Sequence, residues 1–157
     1  MGRYLEVMDT TLRDGEQTNS VSFSVIEKLT LAQILLQEVK VDRIEVASAR
    51  VSEGELNAVT AITSWAKDAG FIDKVEVLTF VDGGVSIEWM KKAGAKVMNL
   101  LTKGSLNHLT HQLKKSPEEH FEDLQLVLDQ AQEAGITVDV YLEDWSNGMR
   151  NSPDYVF

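Results

Sequence analysis

Ile136–Thr137–Val138–Asp139–Val140–Tyr141–Leu142–Glu143 is the stretch whose reading decides the fold. A period of two puts Asp139, Tyr141 and Glu143 on one face of a strand and Val138, Val140 and Leu142 on the other. Two earlier stretches repeat the pattern. Arg43 and Glu45 oppose Ile44 and Val46, and Glu76, Leu78 and Phe80 oppose Val75, Val77 and Thr79. A parallel sheet covered by helices on both faces reads as near-continuous apolar runs. Strands with one charged face fit the interior of a (β/α)8 barrel with polar layers better.

Helical patterns fill the intervals between these strands. Ser24 with Glu27 three residues on predicts a capped helix start, and Leu29, Leu31, Ile34, Leu35 and Val39 follow at helical spacing. Ser52 with Glu55 repeats the signal ahead of a helix to Gly70. Ile87–Ala93 is a short helix ending at Gly94. Ser116–Pro117–Glu118–Glu119 combines an N-cap with proline at the first helical position, and that helix runs to Gly135. Strands are expected at 4–8, 43–47, 75–81, 96–101 and 136–142, with a further helix opening at Ser152–Pro153. Strict βα alternation implies parallel strands joined by crossovers. An eight-unit barrel takes about 250 residues, and this chain has 157. The expectation is one unit, residues 1–157, the N-terminal part of a barrel catalytic domain broken off after its fifth strand. Such an arc leaves two sheet edges open. The alternative is an open, flavodoxin-like doubly wound sheet acting as a binding module.

Composition narrows the function. The formal charge is −10, which argues against a nucleic-acid partner, since phosphate binding needs a basic patch. Without cysteine there is no disulfide and no thiolate metal site, which fits a cytoplasmic setting. No apolar run is long enough to cross a bilayer. His108 and His111 are read as a loop and a helix face rather than a metal pair. Gly83–Gly84 is read as a turn, because no dinucleotide fingerprint surrounds it.

Barrel sites form at the C-terminal ends of strands. Those ends bring Arg13, Asp14 and Gln17 after the first strand, Glu45 on the second, Leu78 and Leu101 on the third and fourth, and Tyr141 with Glu143 on the fifth. A carboxylate can ligate a hard cation, a guanidinium can pair with an oxyanion, and a second carboxylate can move a proton.

Thr11–Leu12–Arg13–Asp14–Gly15–Glu16–Gln17 is the most specific motif. Together with Ile44–Glu45–Val46–Ala47–Ser48–Ala49–Arg50–Val51–Ser52, Asn99–Leu100–Leu101–Thr102–Lys103–Gly104–Ser105 and Val140–Tyr141–Leu142–Glu143–Asp144–Trp145–Ser146–Asn147–Gly148, it resembles the metal-dependent barrel condensing enzymes. These are the 2-isopropylmalate, homocitrate and citramalate synthases, with hydroxymethylglutaryl-CoA lyase as a distant cousin. The last motif and the two leucines resemble the citramalate type. The resemblance implies condensation of acetyl-CoA with a small 2-oxo acid, pyruvate in the citramalate type, within branched-chain amino-acid biosynthesis. It implies Asp14 as a ligand of a divalent metal (Mn, Mg or Zn) and Arg13 beside the substrate oxygens. Leu78, Leu101 and Tyr141 would enclose the substrate methyl, Glu143 would handle a proton, and Gln17 and Glu45 would orient Arg13 or the substrate. The family's His-x-His metal pair and asparagine ligand belong to later strands, so the metal site is expected to be incomplete and the chain inactive alone. Full-length members are expected to be homodimers.

Overall fold

Five parallel strands, β1 (Met8–Asp9), β2 (Arg43–Ser48), β3 (Val75–Phe80), β4 (Val97–Lys103) and β5 (Thr137–Glu143), form one sheet in the order of the chain. The computed structural model describes residues 5–157. Helices fill the crossovers: α1 (Val25–Gln33), α2 (Glu53–Ala69), α3 (Val85–Ala93), the single turn α4 (Leu106–His108) and α5 (Pro117–Glu133). After β5 come α6 (Trp145–Asn151) and α7 (Pro153–Val156). A doubly wound sheet must reverse its strand order at a switch point. This sheet never reverses, so the flavodoxin-like alternative is excluded.

The sheet is rolled. At about 4.8 Å per strand, β1 and β5 of a flat sheet would stand about 19 Å apart. Instead, the Tyr141 hydroxyl of β5 donates to Met8 Sδ of β1 at 3.2 Å. Arg43 of β2 likewise reaches Asp139 of β5 at 3.0 Å. Contacts of this kind need a strongly concave face, and the structure is an incomplete (β/α)8 barrel.

The helix side holds the apolar core. Ile44, Val46, Val75, Val77, Met98 and Leu100 are fully buried against Ala32 and Leu36, Val59 and Ile62, Ile87 and Met90, and Val127 and Ala131. Burying a side chain of this size is worth about 1.5–3 kcal/mol, so this layer dominates the stability. The inner side is polar, as the alternation required.

Helix starts follow their sequence signals with one instructive exception. Ser24 with Glu27, and Ser116 with Glu119, form reciprocal capping boxes. Ser52 accepts from Glu55 N, but the box is only half made, because the Glu55 carboxylate turns to the Lys28 ammonium at 2.7 Å. Two helical segments loosen into π turns, Ile34–Val39 and Leu109–Leu113, each stopped by a lysine with left-handed φ, Lys40 at 62° and Lys114 at 56°.

Two expectations change, and one irregularity is new. The first strand is shorter and later than 4–8; Tyr4 lies outside the described residues. Val7 pairs irregularly instead, giving its N–H to the Asp42 carboxylate while its carbonyl accepts from Asp42 and Arg43. Beyond the stretch that the alternation covered, the β2–β3 register slips by one between Glu45 and Ala47, and Ser48 is the register partner of Leu78. The segment after β5 is helical from Trp145, where no helix was expected before Ser152.

Candidate active site

The concave face is layered. Lowest, Arg43 Nη1 bridges Glu76 at 2.9 Å and Asp139 at 3.0 Å, and Glu6 lies 3.3 Å from its Nε. Burial pushes the Glu76 carboxyl up, and nearby Asp139 adds to that, against the pull of Arg43. Above it, the fully buried Glu45 uses both oxygens. Oε1 accepts from Asn99 Nδ2 at 2.8 Å, and Oε2 accepts from Arg13 Nε at 2.5 Å. Higher still, Leu101 and Tyr141 are register partners, and Lys103 and Glu143 pair one step beyond.

The turn carrying Arg13 and Asp14 is built by the backbone. Thr10 C=O accepts the N–H groups of Arg13, Asp14 and Gly15, and the Asp9 carboxylate accepts the Thr11 N–H and hydroxyl. Leu12 is fully buried and pins the turn to the core. Arg13 Nη1 donates to Asp14 at 2.9 Å. With Nε on Glu45, the guanidinium is held at two of its nitrogens, and Nη2 makes no hydrogen bond among the described residues. A guanidinium fixed in this way presents a preorganised donor edge to a carboxylate or an oxyanion.

The remaining expected residues fall as follows. Gln17 is exposed and, with Arg13, lines a hollow of about 330 Å³ between the β1–α1 and β2–α2 loops. Leu101, Tyr141 and Glu143 line a second hollow, of about 510 Å³, on the open side of β5. Leu78 is buried one layer lower, beside Asn99 in the register. The Glu143 carboxylate is ion-paired with Lys103, whose ammonium also donates to Gln112 at 2.9 Å. Arg13 therefore contacts both Asp14 and Glu45, and Tyr141 is close enough for the Arg13 and Glu45 charges to act on its hydroxyl. Glu143 stands with Lys103 at the rim. The Gln17 N–H donates to the Asp14 carbonyl at 3.1 Å, but among the described residues neither its side chain nor Leu78 makes a polar contact with the group.

Sequence reading did not single out Asn99, Lys103 or Lys28 as site residues. Asn99 and Lys103 lie inside a quoted motif, but their partners are 54 and 40 residues away. Only strand register brings them together. His108 Nε2 is 3.5 Å from Asp144, and His111 bonds the Asn107 carbonyl, so the two imidazoles have separate partners.

A divalent cation takes about six ligands. Asp14 is mostly exposed and tied to Arg13, and no group of three or more His, Cys, Asp or Glu among the described residues could hold a metal ion. The residues present do not by themselves fit the cation. No described helix is long and apolar enough to cross a membrane.

Burial pushes the Tyr141 hydroxyl up to about 12, with the Glu45 and Glu76 charges adding to it. The unfolded chain ionises tyrosine near the ordinary value of about 10. This contribution to stability is therefore whole below about pH 10 and is lost as pH rises through the folded value. Spectrophotometric titration of the folded protein should show a phenol ionising near pH 12, and Tyr141→Phe should remove one tyrosine's worth of that late amplitude, leaving the Tyr155 hydroxyl that burial also pushes up. If the variant loses none of the late amplitude, the buried assignment of Tyr141 is wrong.

Residues 4–152 match the HMGL-like family. The (R)-citramalate synthase of Methanocaldococcus jannaschii is 33% identical over 89% of this chain and 27% of its own length. The 2-isopropylmalate synthase of Polaromonas naphthalenivorans is 32% identical over 97% of the chain and 29% of its length. The chain thus spans under a third of the relatives it matches. In structure it is similar to the HMG-CoA lyase of Bacillus subtilis, with a TM-score of 0.57 at 21% identity over 87% of this chain and 45% of the other, a likeness of fold. With the matched region running from the first strand past the fifth, the chain belongs to the HMGL-like family.

Proposed function

We propose that these residues are the keto-acid-binding arc of an acetyl-CoA-dependent condensing enzyme of the citramalate synthase type. The observation that carries the reading is Arg13, a guanidinium locked by buried Glu45 and by Asp14, with Nη2 left open. In this reading Nη2 holds the carboxylate and carbonyl oxygens of the 2-oxo acid, where a fixed cation also stabilises the alkoxide that forms. Leu101 and Tyr141, with Leu78 beneath, enclose a substrate methyl group. Glu143 moves the proton between the acetyl-CoA methyl and solvent, and Lys103 keeps its carboxylate at the rim. Condensation then joins the acetyl carbon to the keto carbon, and water releases CoA. Asp14 is proposed as one ligand of a divalent cation (Mn, Mg or Zn) whose other ligands lie outside these residues. Gln17 is proposed to meet the substrate from the β1–α1 loop.

The test is a chimera in which residues 1–157 replace the matching segment of the M. jannaschii relative. With divalent metal, thiol release from acetyl-CoA should depend on pyruvate and exceed that with 2-oxoisovalerate. A pocket that rejects extra methylenes is worth about 10–200-fold. Preference for 2-oxoisovalerate would make the arc that of a 2-isopropylmalate synthase. Turnover only in the direction of carbon–carbon cleavage would move it to the lyases.

A further inference from the structure

Lys28 is the largest fully buried side chain in the described protein, and the site described above does not use it. Its ammonium lies 2.6 Å from Glu16 Oε2 of the β1–α1 loop on one side and 2.7 Å from Glu55 Oε1 on the other. Glu16 belongs to the same short turn as Arg13 and Asp14. Its other oxygen, Oε1, accepts the Phe23 N–H at 2.8 Å. Residues 18–24 between that turn and α1 carry no regular secondary structure. Glu16 is therefore the side-chain anchor at the trailing end of the loop, and Lys28 is what it is anchored to.

We infer that Lys28 is a positioning residue for the Arg13–Asp14 turn, acting through Glu16 to set where the guanidinium meets Glu45. The two arms of Lys28 have different duties. The Glu16 arm ties the loop to α1, and the Glu55 arm ties α1 to α2. The charges explain the arrangement: one ammonium faces two carboxylates that are about one-fifth exposed. Without the cation, these carboxylates repel across a partly dry space, and the loop is the side free to move. The functional meaning rests on the proposed keto-acid site, but the contact itself does not.

Amide hydrogen exchange of the 157-residue chain separates the two arms without any assay of turnover. In Glu16→Gln the one acceptor oxygen cannot occupy both the Oε1 position at Phe23 N–H and the Oε2 position at Lys28, and the negative charge that pairs with the ammonium is gone. Exchange at Arg13, Asp14, Gly15, Gln17, Thr18 and Phe23 should quicken about tenfold or more, while β2, β3 and β4 stay protected. Glu55→Ala keeps the Lys28–Glu16 pair. It should lower protection evenly across the chain and leave the loop no faster than the strands' change accounts for. Lys28→Met should combine both effects; if it does not fold, the two carboxylate variants still decide. Unchanged loop exchange in Glu16→Gln, or equal loop release in Glu55→Ala, overturns the inference. Loop release in Glu16→Gln alongside a chimera that never consumes a 2-oxo acid would keep the positioning role and remove the keto-acid reading.

Discussion

Replacing Arg13 with methionine should destabilise the protein by about 3–5 kcal/mol, because removing one partner of a buried ion pair strands the other charge. Glu45 is fully buried and would keep only the Asn99 amide as a donor. Glu76 is its register neighbour on β3, so two buried carboxylates would face each other across adjacent strands with the cation between the loop and the sheet lost. At about 2–4 °C per kcal/mol for a chain of this size, the melting temperature should fall by roughly 10 °C. Arg13→Met/Glu45→Met should recover most of the loss, since a buried pair replaced by apolar groups of similar volume is often neutral. Urea unfolding of the two variants checks both statements. A cost under about 1 kcal/mol for the single change would mean that Glu45 does not depend on Arg13. In the chimera, Arg13→Met should also lower kcat by about 10²–10³, the range seen when one oxyanion donor is lost.

Gly148→Ala should be the most damaging single-atom addition. A Cβ there would stand 1.8 Å from the Gly104 carbonyl oxygen and 2.9 Å from both its carbon and Val156 Cγ2. The obstacle is backbone, and it cannot easily retreat. Gly104 N donates to the Glu143 carbonyl at 2.7 Å, and Ser105 Oγ donates to Asp144 at 2.7 Å. Helix α6 must therefore lift from the β4–α4 loop. Overpacking costs about 1–3 kcal/mol and sometimes more, and a backbone collision belongs at the top of that range. The lifted helix would carry Trp145 away from the rim where it lines the hollow with Tyr141 and Glu143. Thermal melts and hydrogen exchange of 145–156 read the effect. Gly54→Ala is the control: its Cβ would make an ordinary 3.5 Å contact with Ser52 Oγ. That substitution should be neutral or stabilising by up to about 1 kcal/mol. Equal melting of the two variants would show that the tight approach at Gly148 does not exist in solution.

Much of the fold was legible because it depends on neighbours in sequence. Ser24 with Glu27, and Ser116–Pro117 with Glu119, start helices because the capping groups lie three residues apart, within reach of one another before any tertiary contact forms. Alternation in β5 and β3 told the inner face from the outer because side chains of a strand must alternate. Helix α6 was missed for equally local reasons. Its first turn follows Asp144 in the left-handed region at φ 63°, with no side-chain cap, and Gly148 sits in its middle. Such a sequence reads as a turn. Packing of Gly148 against Gly104 and Val156 holds the segment as a helix.

By itself the sequence determined the βα alternation, the polar concave face, the turn after the first strand that carries Arg13, Asp14 and Gln17, and the inward side of Glu45, Tyr141 and Glu143. Those properties follow from spacing along one chain. Tertiary structure decided the pairings: Arg13 with Glu45, Glu45 with Asn99, Lys103 with Glu143, and Lys28 between Glu16 and Glu55. It also decided the slip at Glu45–Ala47 that pairs Ser48 with Leu78, and the curvature that lets Tyr141 touch Met8. The reason is physical. A buried charge takes the partner that burial places within about 3 Å, and which groups share that space depends on strand register and sheet curvature, which no local spacing encodes.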